Sequence, residues 1–219
     1  MIKLKVIICG YNGKMGNLVY QRLKEDHNYQ IIGLIDIDTP SLKEYLTEKV
    51  DVVIDFTNAE CSLKNAYTCL DNKINYLSGT TGIKENSLRR IGKLAKEKGL
   101  SFIICPNFSM GINLLLKSLS LIRPYFDEIE IVEQHHISKL DKPSGTALEI
   151  KRFLNEDDVK IQSIRKDSNI LYHKVTLKKS EESIELTHKT TSRNAYIDGV
   201  LYSLTKLNTF KGLKRTINF

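Results

Sequence analysis

Across the first hundred residues, short apolar runs alternate with stretches whose apolar positions recur at helical spacing. The runs are Leu4–Cys9, Ile31–Ile35, Val50–Asp55, Ile74–Leu77 and Ser101–Cys105. Between them, helical patterns cover Lys14–Glu25, Ser41–Thr47, Glu60–Leu70 and Glu85–Lys98. Apolar strands separated by amphipathic helices predict right-handed βαβ units and a parallel sheet covered on both faces. After Pro106 the rhythm changes. The pattern predicts a helix over Gly111–Leu121, a strand over Ile129–Glu133, a polar loop from His135 to Ser144 and a helix over Thr146–Leu154. Val159–Ile164, Tyr172–Lys178 and Ser183–Lys189 alternate like half-exposed antiparallel strands, and the stretch from about Ala195 to Lys206 is helical again.

Composition changes this picture little. The chain has 219 residues, 41% of them hydrophobic and 27% charged, which suits a soluble globular protein with a real core. No apolar run approaches the roughly 20 residues of a membrane span, and no signal-peptide pattern follows Met1, so the expected location is cytoplasmic and no membrane is involved. The net charge of +7 comes from lysines spread along the chain, without a basic cluster interleaved with aromatics. That excludes a nucleic-acid partner and leaves a modest preference for small anions. Cys9, Cys61, Cys69 and Cys105 form no CxxC pair and have no histidine at metal-ligand spacing. A structural role in a reducing compartment is expected, with no metal.

Three features carry candidate chemistry. Gly10-Tyr11-Asn12-Gly13-Lys14-Met15-Gly16 joins the first strand to the first helix. Glycines there permit a tight turn, close approach of a pyrophosphate, and helix–strand packing, while the helix start offers N–H groups to the phosphates. Asp36 closes the second strand about 20 residues after Gly16, where an acid accepts hydrogen bonds from ribose hydroxyls and repels a 2′-phosphate. NADH should therefore serve at least as well as NADPH, unless Asp36 is only a solvated turn acid before Thr39-Pro40. Asp55-Phe56-Thr57 and Gly79-Thr80-Thr81-Gly82 fall at strand ends on the same edge. The third feature runs from Glu133 to Ala147 and holds His135, His136 and Lys139, then Ser144-Gly145-Thr146 at a helix start. An imidazole beside a fixed cation suits proton donation to developing negative charge, and the helix start suits a carboxylate.

The Glu133–Ala147 segment, with its E-x-H-H-x-x-K-x-D-x-P-S-G-T-A pattern, resembles the 4-hydroxy-tetrahydrodipicolinate reductases, long called dihydrodipicolinate reductases. The resemblance spans nearly the whole chain. In order come the Gly10–Gly16 turn, Asp55-Phe56-Thr57, Gly79–Gly82, Pro106-Asn107-Phe108-Ser109-Met110-Gly111, and Thr187-His188-Lys189 with Ser192-Arg193. It implies an NAD(P)H-dependent reduction of a cyclic imine dicarboxylate in the diaminopimelate route to lysine. It implies His135 and Lys139 as proton-transfer residues, and His136, Ser144, Gly145 and Thr146 as the holders of substrate carboxylates. Gly10, Tyr11, Asn12, Gly13, Lys14, Met15, Asp36, Gly79, Thr80, Thr81, Cys105, Pro106, Asn107 and Phe108 would line the cofactor.

The implied fold is α/β: an N-terminal Rossmann-like domain at 1–108, completed by 194–219, and an inserted α+β substrate and oligomerisation domain at 109–193. The last helix would return to the first domain, hinges would lie near Phe108–Gly111 and Arg193–Tyr196, and the assembly would be a homotetramer. Two departures stand out. The chain is short for the family between about Leu154 and Ile161, and the glycine-containing stretch expected after Ser163-Ile164-Arg165 reads Lys166–Tyr172, with His173 in place. A related dehydrogenase of 2,4-diaminopentanoate or aspartate would keep the glycine turn without needing His135, Lys139 and Ser144-Gly145-Thr146 together. A nucleotide-sensing regulator would need a DNA-binding module, and no helix-turn-helix or basic arm is present.

Overall fold

The computed structural model describes residues 3–156 and 158–217. In chain order its elements begin β1 (Leu4–Cys9), α1 (Lys14–Lys24), β2 (Tyr29–Ile35), β3 (Val52–Asp55), α2 (Ala59–Asp71), β4 (Asn75–Ser78), α3 (Glu85–Glu97) and β5 (Ser101–Ile104). They continue with α4 (Met110–Ile122), β6 (Glu128–His136), α5 (Gly145–Leu154), β7 (Ile161–Lys166), β8 (Leu171–Lys179), β9 (Glu182–Thr190), α6 (Ile197–Lys206) and β10 (Gly212–Lys214). The chain divides into two compact units, one running to Phe108 and resuming at Tyr196, the other from Ser109 to Ala195.

The first unit is a six-stranded sheet in the order β10-β5-β4-β3-β1-β2, with every pairing parallel. Alternation along the strands sends Ile7, Val53, Tyr76 and Phe102 to one face, against Ala66, Leu70 and Ile91 of α2 and α3. Val6, Ile8, Ile54, Leu77 and Ile103 point the other way, against Val19 and Leu23 of α1 and Val200 and Leu204 of α6. Each such fully buried aliphatic side chain contributes roughly 1.5–3 kcal/mol. Strand order reverses at β1, which places β2 on one side and β3 on the other, and a crevice opens beyond their carboxyl ends at such a point.

The second unit is a four-stranded sheet in the order β7-β6-β8-β9 with α4 and α5 on one face. Ile112, Leu116 and Leu119 of α4 and Ala147 and Ile150 of α5 share a core with Ile131, Val175 and Leu177 of the sheet.

Four expectations change. After Pro40 there is only one 3₁₀ turn, Leu42–Tyr45, in place of the longer helix expected; it is opened by a Ser41/Glu44 capping box and ended where Leu46 leaves helical conformation. β7 runs parallel to β6, not antiparallel, because α5 carries the chain back along the sheet before β7 begins. β6 continues through His135 and His136, so the two histidines lie in a strand and not in a loop. β10 has no apolar alternation to announce it and is hydrogen-bonded to β5. No helix among the described residues is long and apolar enough to cross a membrane.

Candidate active site

Strand alternation sorts the β6 segment. Ile131, Glu133 and His135 lie on the helix-covered face and are buried; Gln134 and His136 take the opposite face. Adjacent in sequence, the two histidines therefore serve different surroundings. Pairing extends the buried face sideways: Glu133 is opposite Ser163 of β7 and His173 of β8, and His173 is opposite His188 of β9. A row of polar groups thus crosses the whole sheet next to a row of aliphatic ones.

Two histidines of this row hold the helices above it. His173 Nε2 lies 3.2 Å from the Ser144 hydroxyl, which also accepts from the Ala147 N–H at the start of α5. His188 Nε2 lies 3.1 Å from the Ser109 hydroxyl, which accepts from the Ile112 N–H at the start of α4. Each serine is both the cap of its helix and the partner of a histidine ring, buried at His173 and half-buried at His188.

Glu133 is fully buried and is paired with the nearly buried Arg165, Nη1 to Oε1 at 2.9 Å. The Ser144 N–H points to the same oxygen at 3.4 Å. Burial opposes ionisation of Glu133, but the Ser163 hydroxyl, the Arg165 guanidinium and His135 outweigh it and hold the carboxyl below its ordinary value. His135 Nε2 sits 3.0 Å from Glu133 Oε2, yet off the line a hydrogen bond needs, so neither atom has a hydrogen-bond partner. Burial lowers the His135 pKa, and the charges of Lys139 and Arg165 add to this against the pull of Glu133. His135 is therefore neutral at pH 7, able to accept a proton, with cations nearby. His173 is pushed down to about 3, mostly by burial.

Lys139 lies in the loop after β6, with its ammonium 2.8 Å from Asp141 Oδ1. His136 is exposed, 2.8 Å from the Ser138 hydroxyl and 3.3 Å from Asp167 in the segment that departs from the family pattern. Gly145 is exposed at the start of α5, with open space around its Cα, and Thr146 follows it half-buried. Ser144 is buried, its hydroxyl engaged by His173 and Ala147.

The other residues expected to bind a ligand sit on the first unit's sheet. Gly10 to Met15 form the β1–α1 turn, Asp36 follows β2, Gly79 to Thr81 follow β4, and Cys105 to Phe108 follow β5. Since all these strands are parallel, the four segments share the carboxyl edge. Gly10 has φ +78°, and a Cβ on Gly16 would meet the Gly10 carbonyl oxygen at 2.0 Å, so both turn positions require glycine. The α1 start has no side-chain cap and no acid in its first turn, in contrast to the capped starts of α2, α4 and α5. That is the condition an incoming phosphate needs, and the residues present fit a dinucleotide. Asp36 Oδ2 accepts from the Asn12 N–H at 2.8 Å, which ties the acid to the glycine turn.

Behind this edge Asp55 is fully buried. It accepts from the Thr57 N–H at 2.8 Å, the Thr57 hydroxyl at 2.6 Å, Asn65 Nδ2 at 2.8 Å and the Tyr76 hydroxyl at 2.9 Å. It braces the turns after β3 and β4 from below.

Spacing along the chain offers no third metal ligand near His135, but the fold supplies one. Ligand atoms of Glu133, His135 and His173 lie within 4.8 Å of one another. Arg165 already neutralises Glu133, and Lys139 adds a second positive charge, which opposes a bound cation. Sequence reasoning also misses Arg165, whose partners lie far away along the chain. Glu133 carried a signal: a carboxylate in phase with Ile129 and Ile131 on a core-facing register.

Family models match both units, the N-terminal dihydrodipicolinate reductase model over residues 4–108 and the C-terminal one over residues 111–217. The chain belongs to the dihydrodipicolinate reductase family. A 4-hydroxy-tetrahydrodipicolinate reductase of Carboxydothermus hydrogenoformans is 28% identical, over 93% of this chain and 94% of its own. The enzyme of the same name from Legionella pneumophila is also 28% identical, with 94% of each chain covered. A dipicolinate-bound dihydrodipicolinate reductase from a Paenisporosarcina species superposes with a TM-score of 0.86, at 25% identity and 98% coverage of both chains.

Proposed function

We propose that this chain is an NAD(P)H-dependent oxidoreductase of diaminopimelate and lysine biosynthesis. It converts 4-hydroxy-tetrahydrodipicolinate, by way of dihydrodipicolinate, to tetrahydrodipicolinate and water. The observation that carries this reading is a neutral His135, buried beside Glu133 with Arg165 and Lys139 as nearby cations, in a chain that matches the reductase family over both units.

The chemistry follows from those charges. Loss of water needs a base for a ring proton and an acid for the departing hydroxide; neutral His135 takes the proton, and the Lys139 ammonium gives one to form water. The nicotinamide cofactor supplies the hydride. Once that hydride had saturated one ring carbon, the negative charge left in the conjugated system would be quenched by the protonated His135, which returns its proton there. Lys139 is recharged from solvent, so one proton is consumed overall. His136, Gly145 and Thr146 hold the dianion at the start of α5, and Ser144 acts on it through the cap it provides.

The glycine turn and the segments Gly79–Thr81 and Cys105–Phe108 hold the cofactor. Asp36 favours NADH at least as much as NADPH, because its carboxylate suits ribose hydroxyls and opposes a 2′-phosphate. The substrate unit also builds a homotetramer, and the enzyme works in the cytoplasm without a metal.

A coupled assay tests the reading. Aspartate semialdehyde, pyruvate and the synthase that joins them supply the substrate, and oxidation of NADH and NADPH is followed. His135→Ala and Lys139→Ala are each expected to lower kcat by about 10²–10⁴-fold. Absence of oxidation with either cofactor refutes the reading, and full activity in both variants refutes the mechanism. A preference for NADPH beyond roughly tenfold, about 1.4 kcal/mol, removes the role given to Asp36. Light scattering at four times the 25.1 kDa chain mass checks the assembly. Activity unchanged after chelator treatment checks the absence of a metal.

A further inference from the structure

We propose that Arg165 is a positioning residue for this reaction: one buried guanidinium fixes the Lys139 loop against the β6 face that carries Glu133 and His135. The inference rests on the role given to Lys139 above. The Arg165 side chain is 5% exposed, and its donors are spread over three structural features. Nη1 binds Glu133 Oε1 at 2.9 Å and the Ile164 carbonyl at 2.8 Å. Nε donates to the Lys139 carbonyl at 3.1 Å, and Nη2 donates to the Asp141 carbonyl.

The loop has little else to hold it. Its two large apolar side chains, Ile137 and Leu140, are 63% and 94% exposed, so no apolar anchor ties it to the core. Two backbone hydrogen bonds fix its first turn, Ile137 N–H to the Lys166 carbonyl and Lys139 N–H to the His136 carbonyl. Beyond that turn, Arg165 donates to the Lys139 and Asp141 carbonyls on either side of Leu140. The fork also links the loop to Glu133, whose carboxylate faces His135 and the Ser144 N–H. One side chain thus relates the proton-transfer lysine to the proton-transfer histidine. Lysine could keep the charge opposite Glu133 but could not reach both carbonyls at once.

The test uses the full-length chain and the coupled assay. In Arg165→Lys, kcat is expected to fall about 100-fold, KM for NADH to stay within twofold, and thermal unfolding to remain one cooperative transition. A double-mutant cycle separates positioning from general damage. If Arg165 acts through Lys139, Arg165→Lys costs less than threefold in a Lys139→Ala background. Amide hydrogen exchange of 138–143 should quicken in Arg165→Lys while β8 stays protected.

An Arg165→Lys enzyme within threefold of wild type, or a full 100-fold loss that persists without Lys139, overturns the proposal while leaving the reductase reading intact. A wild-type chain without reductase activity refutes that reading instead. The exchange measurement then decides alone, and unchanged protection of 138–143 overturns the role of Arg165. Should Arg165→Lys fold poorly, Arg165→Gln keeps two donors without the charge and is read by the same cycle and exchange measurements.

Discussion

At pH 7 His173 is neutral and buried, its Nε2 on the Ser144 hydroxyl and its Nδ1 without a partner. Its folded pKa of about 3 lies below the value near 6.5 that an unfolded chain shows. Between those values the unfolded chain binds a proton that the folded chain refuses, so stability rises with pH across that window. The penalty is absent well above pH 6.5 and grows as the pH falls through it. At pH 5 it amounts to about 2 kcal/mol for this residue alone. Denaturant unfolding at pH 7 and pH 5 should show that loss, and His173→Gln, which keeps a hydrogen-bonding side chain but does not titrate, should remove most of it. An equal pH dependence in the variant would mean that other groups carry the effect. His135 is shifted in the same direction and adds to the slope. At this scale the sequence shows which residue types carry the chemistry. Which side of the strand each takes, and that Arg165 reaches two carbonyls more than twenty positions away, depends on pairing between strands.

Two helix starts make different demands: α1 begins without a side-chain cap, and α5 begins on one. The uncapped start of α1 is crossed by the Gly10 carbonyl, which leaves no room for a side chain at residue 16. Gly16→Ala should therefore cost at least about 2 kcal/mol of stability and weaken NADH binding, as read by calorimetry and a fluorescence titration. The α5 start depends on Ser144. Ser144→Ala removes the cap and strands the His173 ring nitrogen, so about 1–3 kcal/mol should be lost in chemical denaturation. A loss below 0.5 kcal/mol would show that the histidine had another partner ready. Most elements are legible in the chain because the apolar period marks them, and the structure adds the caps, Asn58 before α2 and Ser109 before α4. The direction of β7 is not legible from its own residues, since half-exposed alternation looks alike in parallel and antiparallel strands; the intervening α5 decides it.

At the scale of the whole molecule, the chain returns to its first sheet. Gly212–Lys214 lie beside Ser101–Ile103, the Gly212 N–H donates to the Leu100 carbonyl, and the Ser101 hydroxyl donates to the Phe210 carbonyl. Nothing in a Gly-Leu-Lys triplet marks a strand, which is why this edge escapes a reading by period. Removal of residues from 209 onward should expose the β5 edge and lower the soluble yield on expression, compared by ultracentrifugation of lysates. An undiminished yield would show that β5 tolerates an open edge. The same topology sets a timetable for the newborn chain. The ribosome delivers β5 roughly a hundred residues before β10, an interval of about 5–20 s at ordinary elongation rates. Throughout that interval the central sheet has its hydrophobic layers half assembled and one unpaired border. A cell making this protein must shelter that border from neighbouring nascent chains until β10 emerges to pair with β5.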